Sequence, residues 1–201
     1  MVTERMIYQT DETRDRIIDA AAALFSRRGL FDIKMTDVAK AAGVSRNTLY
    51  RYYRDKGDLA LEILRGMFER MAERDGAAIL AEAQRSGLDG HATLRLAFDR
   101  LWARPGFDDE LRFMAEFDAY FSGERLDPAF IERLRAAVPL AYNDAMLATL
   151  LRGQADGSIR SDREPRLLLV TLINATRALK QRLAIRGDSL VEAAGLDRDA
   201  I

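Results

Sequence analysis

Apolar residues recur every three or four positions along most of the chain, which is the pattern of helices with one buried face. The first such stripe starts after Asp11 and ends before Gly29. Its members are Ile17, Ile18, Ala21, Leu24 and Phe25. No stretch alternates apolar and polar residues in the way that a half-buried strand does. The pattern therefore predicts an all-α protein whose first helix begins near Asp11.

Two short helices separated by a glycine follow the first one. Thr36 is a suitable N-cap for a helix over 37–42, because its hydroxyl can accept a hydrogen bond from a free backbone N–H. Gly43 ends this helix, and Ser45 caps a third helix that continues to Tyr53. Two short helices joined by a tight turn that contains Gly form a helix-turn-helix.

Longer helices are predicted beyond Lys56. They are expected at about 57–85, 91–103, 109–121, 128–154 and 164–186. Pro139 should kink or split the fourth of them, whereas Pro165 stands at a favourable first-turn position of the fifth. The sequence thus predicts a flexible tail over 1–10, a three-helix helix-turn-helix domain over 11–58, and a C-terminal helical bundle over 59–201.

Composition removes several classes of protein from consideration. The 201 residues include no Cys and one His, which excludes disulfide frameworks, thiolate metal sites and multi-His zinc sites. The run Asp108-Asp109-Glu110 is typical of an acidic helix start, and no phosphate-binding Gly loop is present, so an enzyme is the weakest alternative. We expect no metal and no cofactor. Without a long apolar run or a secretory signal, the sequence predicts a cytoplasmic protein with no membrane partner.

Charge is distributed unevenly along a chain whose net charge is −1. Residues 27–56 contain eight Lys and Arg against three Asp, a net charge of +5, so the remaining residues carry −6. Charge runs are often only solvated surface, but this one coincides with the predicted helix-turn-helix. A basic segment with interleaved aromatic residues suits phosphate anchoring and base-edge hydrogen bonds, so the charge favours double-stranded DNA as a partner.

Several short runs in this region follow a known order. They are RIIDAA at 16–21, LF at 24–25, RGLF at 28–31, MTDVA at 35–39, AGVS at 42–45, TLYRYY at 48–53 and DKGDL at 55–59. Together, these segments resemble the DNA-binding domain of the TetR family of bacterial transcriptional regulators. The turn DGSIRSD at 156–162 also resembles that family's turn between its last two long helices. Tyr52-Tyr53 replaces the family's common His-Phe, and Asn47 replaces a small residue.

The resemblance implies that the third helix carries the base contacts, with Arg46, Asn47, Thr48 and Tyr52 as candidates. An Arg can bridge guanine O6 and N7, and an Asn can bridge adenine N6 and N7. Phosphate contacts are expected from Thr36, Ser45, Tyr50, Arg51, Tyr53 and Lys56. Core packing is the alternative for Tyr50 and Tyr53.

The resemblance also implies a small-molecule effector that is held between helices of the C-terminal bundle. Helix 109–121 is apolar nearly all round, which is typical of a helix inside a bundle. We expect aromatic and thioether walls from Phe98, Trp102, Phe113, Met114, Phe117, Tyr120, Phe121, Tyr142 and Met146. The polar groups expected to orient an apolar or aromatic effector are Asn143, Asn174 and Arg177. A filled core is the alternative for these aromatic residues.

The last two helices carry small and branched residues that could pair across a two-fold axis. These are Ala141, Ala145, Ala148, Leu168, Thr171, Leu172, Ala175, Leu179 and Leu183. The resemblance implies a homodimer that binds half-sites of a palindromic operator about 34–36 Å apart. It predicts a repressor that the effector releases by pushing the long helix 57–85. A constitutive DNA-binding regulator without an effector is the alternative.

Overall fold

A computed structural model describes residues 2–71, 76–104, 107–122, 128–137, 140–187 and 189, with the backbone alone described for 2–11, 107 and 140–143. All regular secondary structure in these ranges is helical, as predicted. The helices are α1 (Val2–Asp32), α2 (Met35–Ala41), α3 (Arg46–Tyr52), α4 (Lys56–Met71), α5 (Ala77–Arg85), α6 (Gly90–Trp102), α7 (Phe107–Tyr120), α8 (Pro128–Ala137), α9 (Leu140–Asp156) and α10 (Pro165–Arg186).

Helix α1 differs from its predicted bounds at both ends. It begins at Val2, so residues 2–10, which were predicted as a tail, are helical. No Gly or Pro stands between Val2 and Arg28 to interrupt the backbone pattern. The helix kinks at Gly29, where φ is +77° and ψ is 163°. Glycine is favoured there, because a φ of +77° is strained for a residue that carries a Cβ.

The helix-turn-helix is present, with one correction to its caps. Helix α2 is capped at Lys34 rather than at Thr36, and the side chain of Asp37 accepts a hydrogen bond from the Lys34 N–H at 3.0 Å. An Asp at the third helical position competes successfully for the free N–H of the cap residue, and this moves the start by two residues. The predicted cap of α3 is confirmed, since Oγ of Ser45 accepts from the Thr48 N–H at 3.0 Å.

Two of the long predicted helices are each represented by two helices. The segment 57–85 contains α4 and α5, and the segment 128–154 contains α8 and α9 with Pro139 between them. Residues 72–75 and 138–139 lie outside the described residues. Helix α10 begins with Pro165, as predicted, and both carboxylate oxygens of Glu164 accept backbone N–H groups of its first turn.

The chain divides into two compact units. Unit 1 comprises Met1–Gly66 and Phe113–Val138, and unit 2 comprises Met67–Arg112 and Pro139–Ile201. This division differs from the predicted domains, because 113–138 packs with the helix-turn-helix rather than with the C-terminal segments. The cause is an aromatic core in unit 1, where ring centroids lie 4.6 Å apart for Phe117–Phe121 and 4.2 Å apart for Phe121–Phe130. The core of unit 2 includes Leu94, Met146, Leu150 and Leu169.

Helices α6 and α9 approach closely within unit 2. A Cβ on Gly90 would lie 2.2 Å from Cα of Gly153, so both glycines are needed for this crossing. The turn after α9 then caps α6, since Oδ2 of Asp156 accepts from the Gly90 N–H at 2.9 Å and Oγ of Ser158 accepts from the His91 N–H at 3.1 Å. Hydrogen bonds from Ser158 and Gly90 lower the pKa of Asp156. Within the described ranges, no helix has the length and apolar character that crossing a membrane requires.

Candidate nucleic-acid interface and effector cavity

Helix α3 turns one face into unit 1 and the other toward solvent. Leu49 of α3 and Val38 of α2 are both 0% exposed, and they hold the two helices together. Arg46, Asn47 and Arg51 are exposed, as the predicted nucleic-acid contacts must be. The result is a short helix, anchored by apolar residues, with an outer face that presents two guanidinium groups and an amide.

The hydroxyl groups at the start of α3 are engaged with each other. Thr48 is half-buried, and its Oγ1 lies 2.9 Å from Oγ of Ser45, which itself caps the helix. Ser45 and Thr36 are exposed and remain accessible for the phosphate contacts expected of them. The base contact predicted for Thr48 has to compete with this cap.

The three tyrosines of the predicted interface have different environments. Tyr50 is 45% exposed, which agrees with an outward role. Tyr52 is half-buried, and the guanidinium of Arg51 lies 5.6 Å from its ring centroid. Tyr53 is 6% exposed, which agrees with core packing of its ring, the alternative to the DNA phosphate contact predicted for it. The reason is positional, since Tyr53 stands at the C-terminal cap of α3 with its ring turned into unit 1.

Lys56 also departs from its predicted role as a phosphate contact. Its Nζ donates hydrogen bonds to the carbonyl oxygens of Leu30, Phe31 and Ile33, the last at 3.0 Å. The same ammonium lies 4.6 Å from the ring centroid of Tyr120. It therefore satisfies carbonyl groups near the end of α1, where a cation complements the helix dipole.

Sequence reasoning missed two ion-pair groups on α4. Asp58 accepts from Nε of Arg54 at 2.8 Å and pairs with Arg133 of α8. The hydrogen bond from Arg54, with Arg133 nearby, lowers the pKa of Asp58 despite partial burial. Glu62 pairs with Arg65 at 2.6 Å and with Arg14 of α1. Burial alone would raise the pKa of Glu62, but its two guanidinium partners lower it.

Unit 2 contains an apolar cavity of about 50 Å³. We call it the aliphatic cavity, and its lining residues are Gly76, Ile79, Leu80, Thr93, Leu94, Ala97, Leu101, Ala145, Met146 and Thr149. The two hydroxyls on its wall donate to backbone carbonyls of Asp89 and Ala145, at 2.7 and 3.0 Å. The cavity therefore offers its occupant mainly methyl and methylene groups.

The predicted effector residues divide between the two units. Met146 lines the aliphatic cavity, whereas the rings of Phe113, Phe117 and Phe121 are buried in the core of unit 1 together with Met114. The alternative of a filled core therefore describes these four side chains, because they fill the space against one another and against Phe25 and Phe130.

The remaining predicted effector residues lie elsewhere. Tyr120 packs edge-on against Phe31 in unit 1, while in unit 2 Phe98 packs on the core and Trp102 lies under Lys180. Nδ2 of Asn174 bonds to its own helix, and its Oδ1 accepts from Arg177. The side chains of Tyr142 and Asn143 lie outside the described residues. A signal that could have found the cavity is the i, i+4 spacing of Thr93, Ala97 and Leu101 on α6.

Helix α10 exposes an apolar stripe. Val170 is 56% exposed and Leu167 is 59% exposed, and sequence reasoning missed both of them. Of the residues predicted for a dimer interface, Ala148, Thr171, Ala175 and Leu179 are exposed, and Leu168, Leu172 and Leu183 are half-buried. Ala145 instead lines the aliphatic cavity, because its face of α9 turns inward, and the side chain of Ala141 lies outside the described residues.

Comparison with known proteins gives one consistent result. Residues 17–63 match the family described as bacterial regulatory proteins, tetR family. An HTH-type transcriptional regulator of Mycobacterium tuberculosis (strain CDC 1551 / Oshkosh) is 31% identical over 141 residues, which are 62% of this chain and 70% of that protein. The HTH-type transcriptional regulator AcrR of Shigella flexneri is 44% identical over 55 residues, and this match spans only 27% of this chain and 26% of that protein's length.

A solved structure extends the likeness beyond the helix-turn-helix. FadR of Thermus thermophilus, a TetR-family transcriptional repressor in complex with lauroyl-CoA, is similar with a TM-score of 0.61 and 26% identity. The similarity covers 85% of this chain and 82% of that one, so it includes both units.

Proposed function

The chain belongs to the TetR family of bacterial transcriptional regulators, and we propose that it is an effector-responsive repressor that binds a palindromic operator as a homodimer. One observation carries this proposal. The family match at 17–63 coincides with a capped α3 whose exposed face presents Arg46, Asn47 and Arg51. On such a face, Arg46 and Asn47 can bind base edges and Arg51 can bind a phosphate.

The homodimer is supported by the exposed apolar stripe of α10. Leu167, Thr171, Ala178 and Ile185 are exposed, and their spacings of four and seven residues place them on one side of this helix. Val170 is exposed one turn from Leu167. An exposed apolar stripe of this length favours a helical partner, and a second copy meets it with the same stripe across a two-fold axis. Two copies of α3 then bind half-sites about 34–36 Å apart, and neither short helix needs high affinity alone.

The effector that we propose for the aliphatic cavity carries an aliphatic rather than an aromatic group. The walls are branched and thioether side chains such as Ile79, Leu80 and Met146. The Thermus relative binds lauroyl-CoA, whose acyl chain has the same apolar chemistry. Because the cavity of about 50 Å³ is small, an effector must enlarge it, and the enlarged state differs from the unliganded one.

Chain connectivity suggests how this enlargement reaches α3. Ile79 and Leu80 belong to α5, which follows α4 in the chain, and α4 starts at Lys56 soon after α3 ends. An effector that displaces α5 therefore acts on the segment that leads to the recognition helix. Only an effector with different affinities for the DNA-bound and free states can release the operator.

The operator is tested by selection from a random double-stranded DNA library with the purified chain. We expect enrichment of an inverted repeat whose half-sites are about one helical turn apart. A library that yields no enriched sequence contradicts the proposal.

The effector is tested with lauroyl-CoA and free fatty acids in two assays, thermal unfolding and operator affinity. A ligand that raises the unfolding temperature is expected to weaken operator binding. Tight ligand binding with unchanged operator affinity would contradict the effector response and favour a regulator that binds DNA constitutively.

A further inference from the structure

Unit 1 contains a second, open cavity of about 640 Å³ that the proposed function does not use. We call it the basic cleft. Six charged side chains line its walls, namely Arg14, Arg51, Arg65, Arg133, Asp58 and Glu62. They come from α1, α3, α4 and α8, so four helices converge on the cleft.

The charges of the basic cleft do not balance. Four guanidinium groups face two carboxylates, and this leaves an excess of two positive charges on the walls. Glu62 is already shared between Arg14 and Arg65, and Asp58 is shared between Arg54 and Arg133. No described carboxylate lies within ion-pair distance of Arg51, whose guanidinium rests over the ring of Tyr52. Arg51 therefore has a guanidinium that no described carboxylate neutralises.

A buried hydroxyl adds a donor to this surplus. Tyr53 lines the basic cleft with 6% exposure, and although the guanidinium of Arg14 lies beside its phenol oxygen, no described residue accepts a hydrogen bond from the phenol O–H. Burial raises the pKa of Tyr53, although the neighbouring Arg14 opposes the rise, so the phenol stays protonated and can donate. A buried donor without a partner carries a free-energy penalty that a ligand oxygen would remove.

We propose that the basic cleft binds the phosphate group of a small molecule through Arg14, Arg51 and the hydroxyl of Tyr53. Guanidinium groups match phosphate oxygens in charge and in the planar geometry of their donors. The open volume admits a phosphorylated metabolite, and Leu61, Ala136 and Ala137 provide an apolar wall for its remainder.

Occupancy of the cleft has a consequence that rests on the proposed function. Arg51 lies on α3 and is exposed there, where a DNA phosphate is its expected partner. A phosphate held in the cleft competes for the same guanidinium, so the ligand weakens operator binding. This input is separate from the aliphatic cavity, which lies wholly in unit 2.

The binding step is tested by calorimetric titration of the full chain with inorganic phosphate, at constant ionic strength maintained with chloride. Wild type is expected to show saturable binding. Tyr53→Phe, which keeps the ring and removes the hydroxyl, should weaken binding about tenfold, and Arg14→Gln should weaken it at least about tenfold. Arg100→Gln is the matched control, because it removes an exposed guanidinium that is paired with Glu82 in unit 2.

Three results would overturn the site. They are an absence of saturable phosphate binding, equal losses in Arg100→Gln and Arg14→Gln, and an unchanged affinity in Tyr53→Phe with native circular dichroism. A Tyr53→Phe defect that affects duplex DNA binding in phosphate-free buffer, without any binding of free phosphate, would assign the cleft to the DNA backbone and also overturns the proposal.

The same titrations separate this proposal from the proposed function. Tyr53-dependent phosphate binding by a chain that binds no duplex supports the cleft and contradicts the DNA-binding regulator. Specific duplex binding by a chain that binds no phosphate supports the DNA-binding regulator and contradicts the proposed phosphate site.

Discussion

Helices α3 and α10 each present a solvent face, and the two faces differ in chemistry. The face of α3 carries Arg46, Asn47 and Arg51, whereas the face of α10 carries Leu167 and Val170 among its exposed residues. The first face suits a hydrated, anionic partner such as nucleic acid, and the second loses unfavourable contact with water when it meets another apolar surface. Different partners are therefore assigned to the two units.

The interiors of the two units differ in a similar way. Unit 1 is filled by stacked rings such as Phe121 and Phe130, whose centroids lie 4.2 Å apart. Unit 2 has aliphatic side chains around a cavity of about 50 Å³. A filled aromatic core holds the helix-turn-helix in one shape, while a partly empty aliphatic core can repack around a ligand. The comparison indicates that unit 1 is the more rigidly packed of the two and that unit 2 is the more able to adapt to an occupant.

The largest expected effect comes from a charge in the apolar stripe. Val170→Asp should produce a monomer, because a carboxylate at a two-fold interface faces its own copy. Without the second half-site contact, operator affinity should fall at least about 100-fold. Sedimentation equilibrium and fluorescence anisotropy with the selected operator measure the two effects.

Ala78→Asp is the control for this prediction, because it places the same charge at an exposed position of α5. It should leave both the mass and the affinity unchanged. A Val170→Asp variant that remains dimeric would remove α10 from the interface.

A methyl group at the α6–α9 crossing should destabilise unit 2. Gly90→Ala places a Cβ 2.2 Å from Cα of Gly153, and neither backbone can yield without separating the helices. We expect a loss of about 3 kcal/mol in the free energy of unfolding, measured with urea. Gly76→Ala has no atom within 4 Å of the new Cβ, and this control should be neutral or slightly stabilising. Equal losses in the two variants would mean that the close crossing is not what requires glycine.

Local signals predicted some helix ends correctly and others incorrectly. The cap at Ser45 depends on residues nearby in sequence, and it is found where the pattern places it. The cap at Thr36 was wrong because Asp37 supplies a competing carboxylate one residue later. Such competition between neighbouring polar groups is decided by geometry that a sequence pattern does not contain.

The site was predictable only where its residues face outward. Polarity placed Arg46 and Asn47 at the surface, but nothing in the sequence distinguishes a ring that lines a pocket from one that fills a core. Phe113 and Phe117 were therefore expected at an effector, and they are buried in unit 1 instead. The packing partners of α7 decide this, and those are tertiary contacts between segments distant in sequence.

A smaller effect is expected at the polar face of α3. Arg46→Ala should weaken binding to the selected operator by about 1–3 kcal/mol and relax the preference at one base position. Competition with duplexes that carry single substitutions identifies that position. An equal loss on operator and on random duplex would assign Arg46 to a phosphate instead of a base.

The smallest effect concerns the pH dependence of unit 1. The pKa of Asp58 is lowered in the folded state, so its contribution to stability is present well above its ordinary pKa of about 3.9 and is lost as the pH falls through the folded value. Asp58→Asn should therefore lower the free energy of unfolding by less than about 1 kcal/mol at pH 7, and this difference should shrink as the pH falls below the ordinary aspartate pKa. Urea titrations at pH 7 and at a series of lower pH values measure it.

Asp99→Asn is the control for the pH prediction, since its pair with Arg95 is exposed and its atoms lie 3.8 Å apart. The prediction is contradicted if the difference in the free energy of unfolding between wild type and Asp58→Asn grows toward acid pH. A carboxylate stabilised by Arg54 and Arg133 loses that stabilisation when it is protonated.

Two copies of α3 on one dimer are expected to bind a specific duplex. The most direct test is the ratio of dissociation constants for the selected operator and for a shuffled duplex of the same composition, measured by anisotropy at about 150 mM salt. We predict tighter binding to the operator by a factor of at least about 1,000. Equal binding to the two duplexes, or no binding to either, would contradict the account.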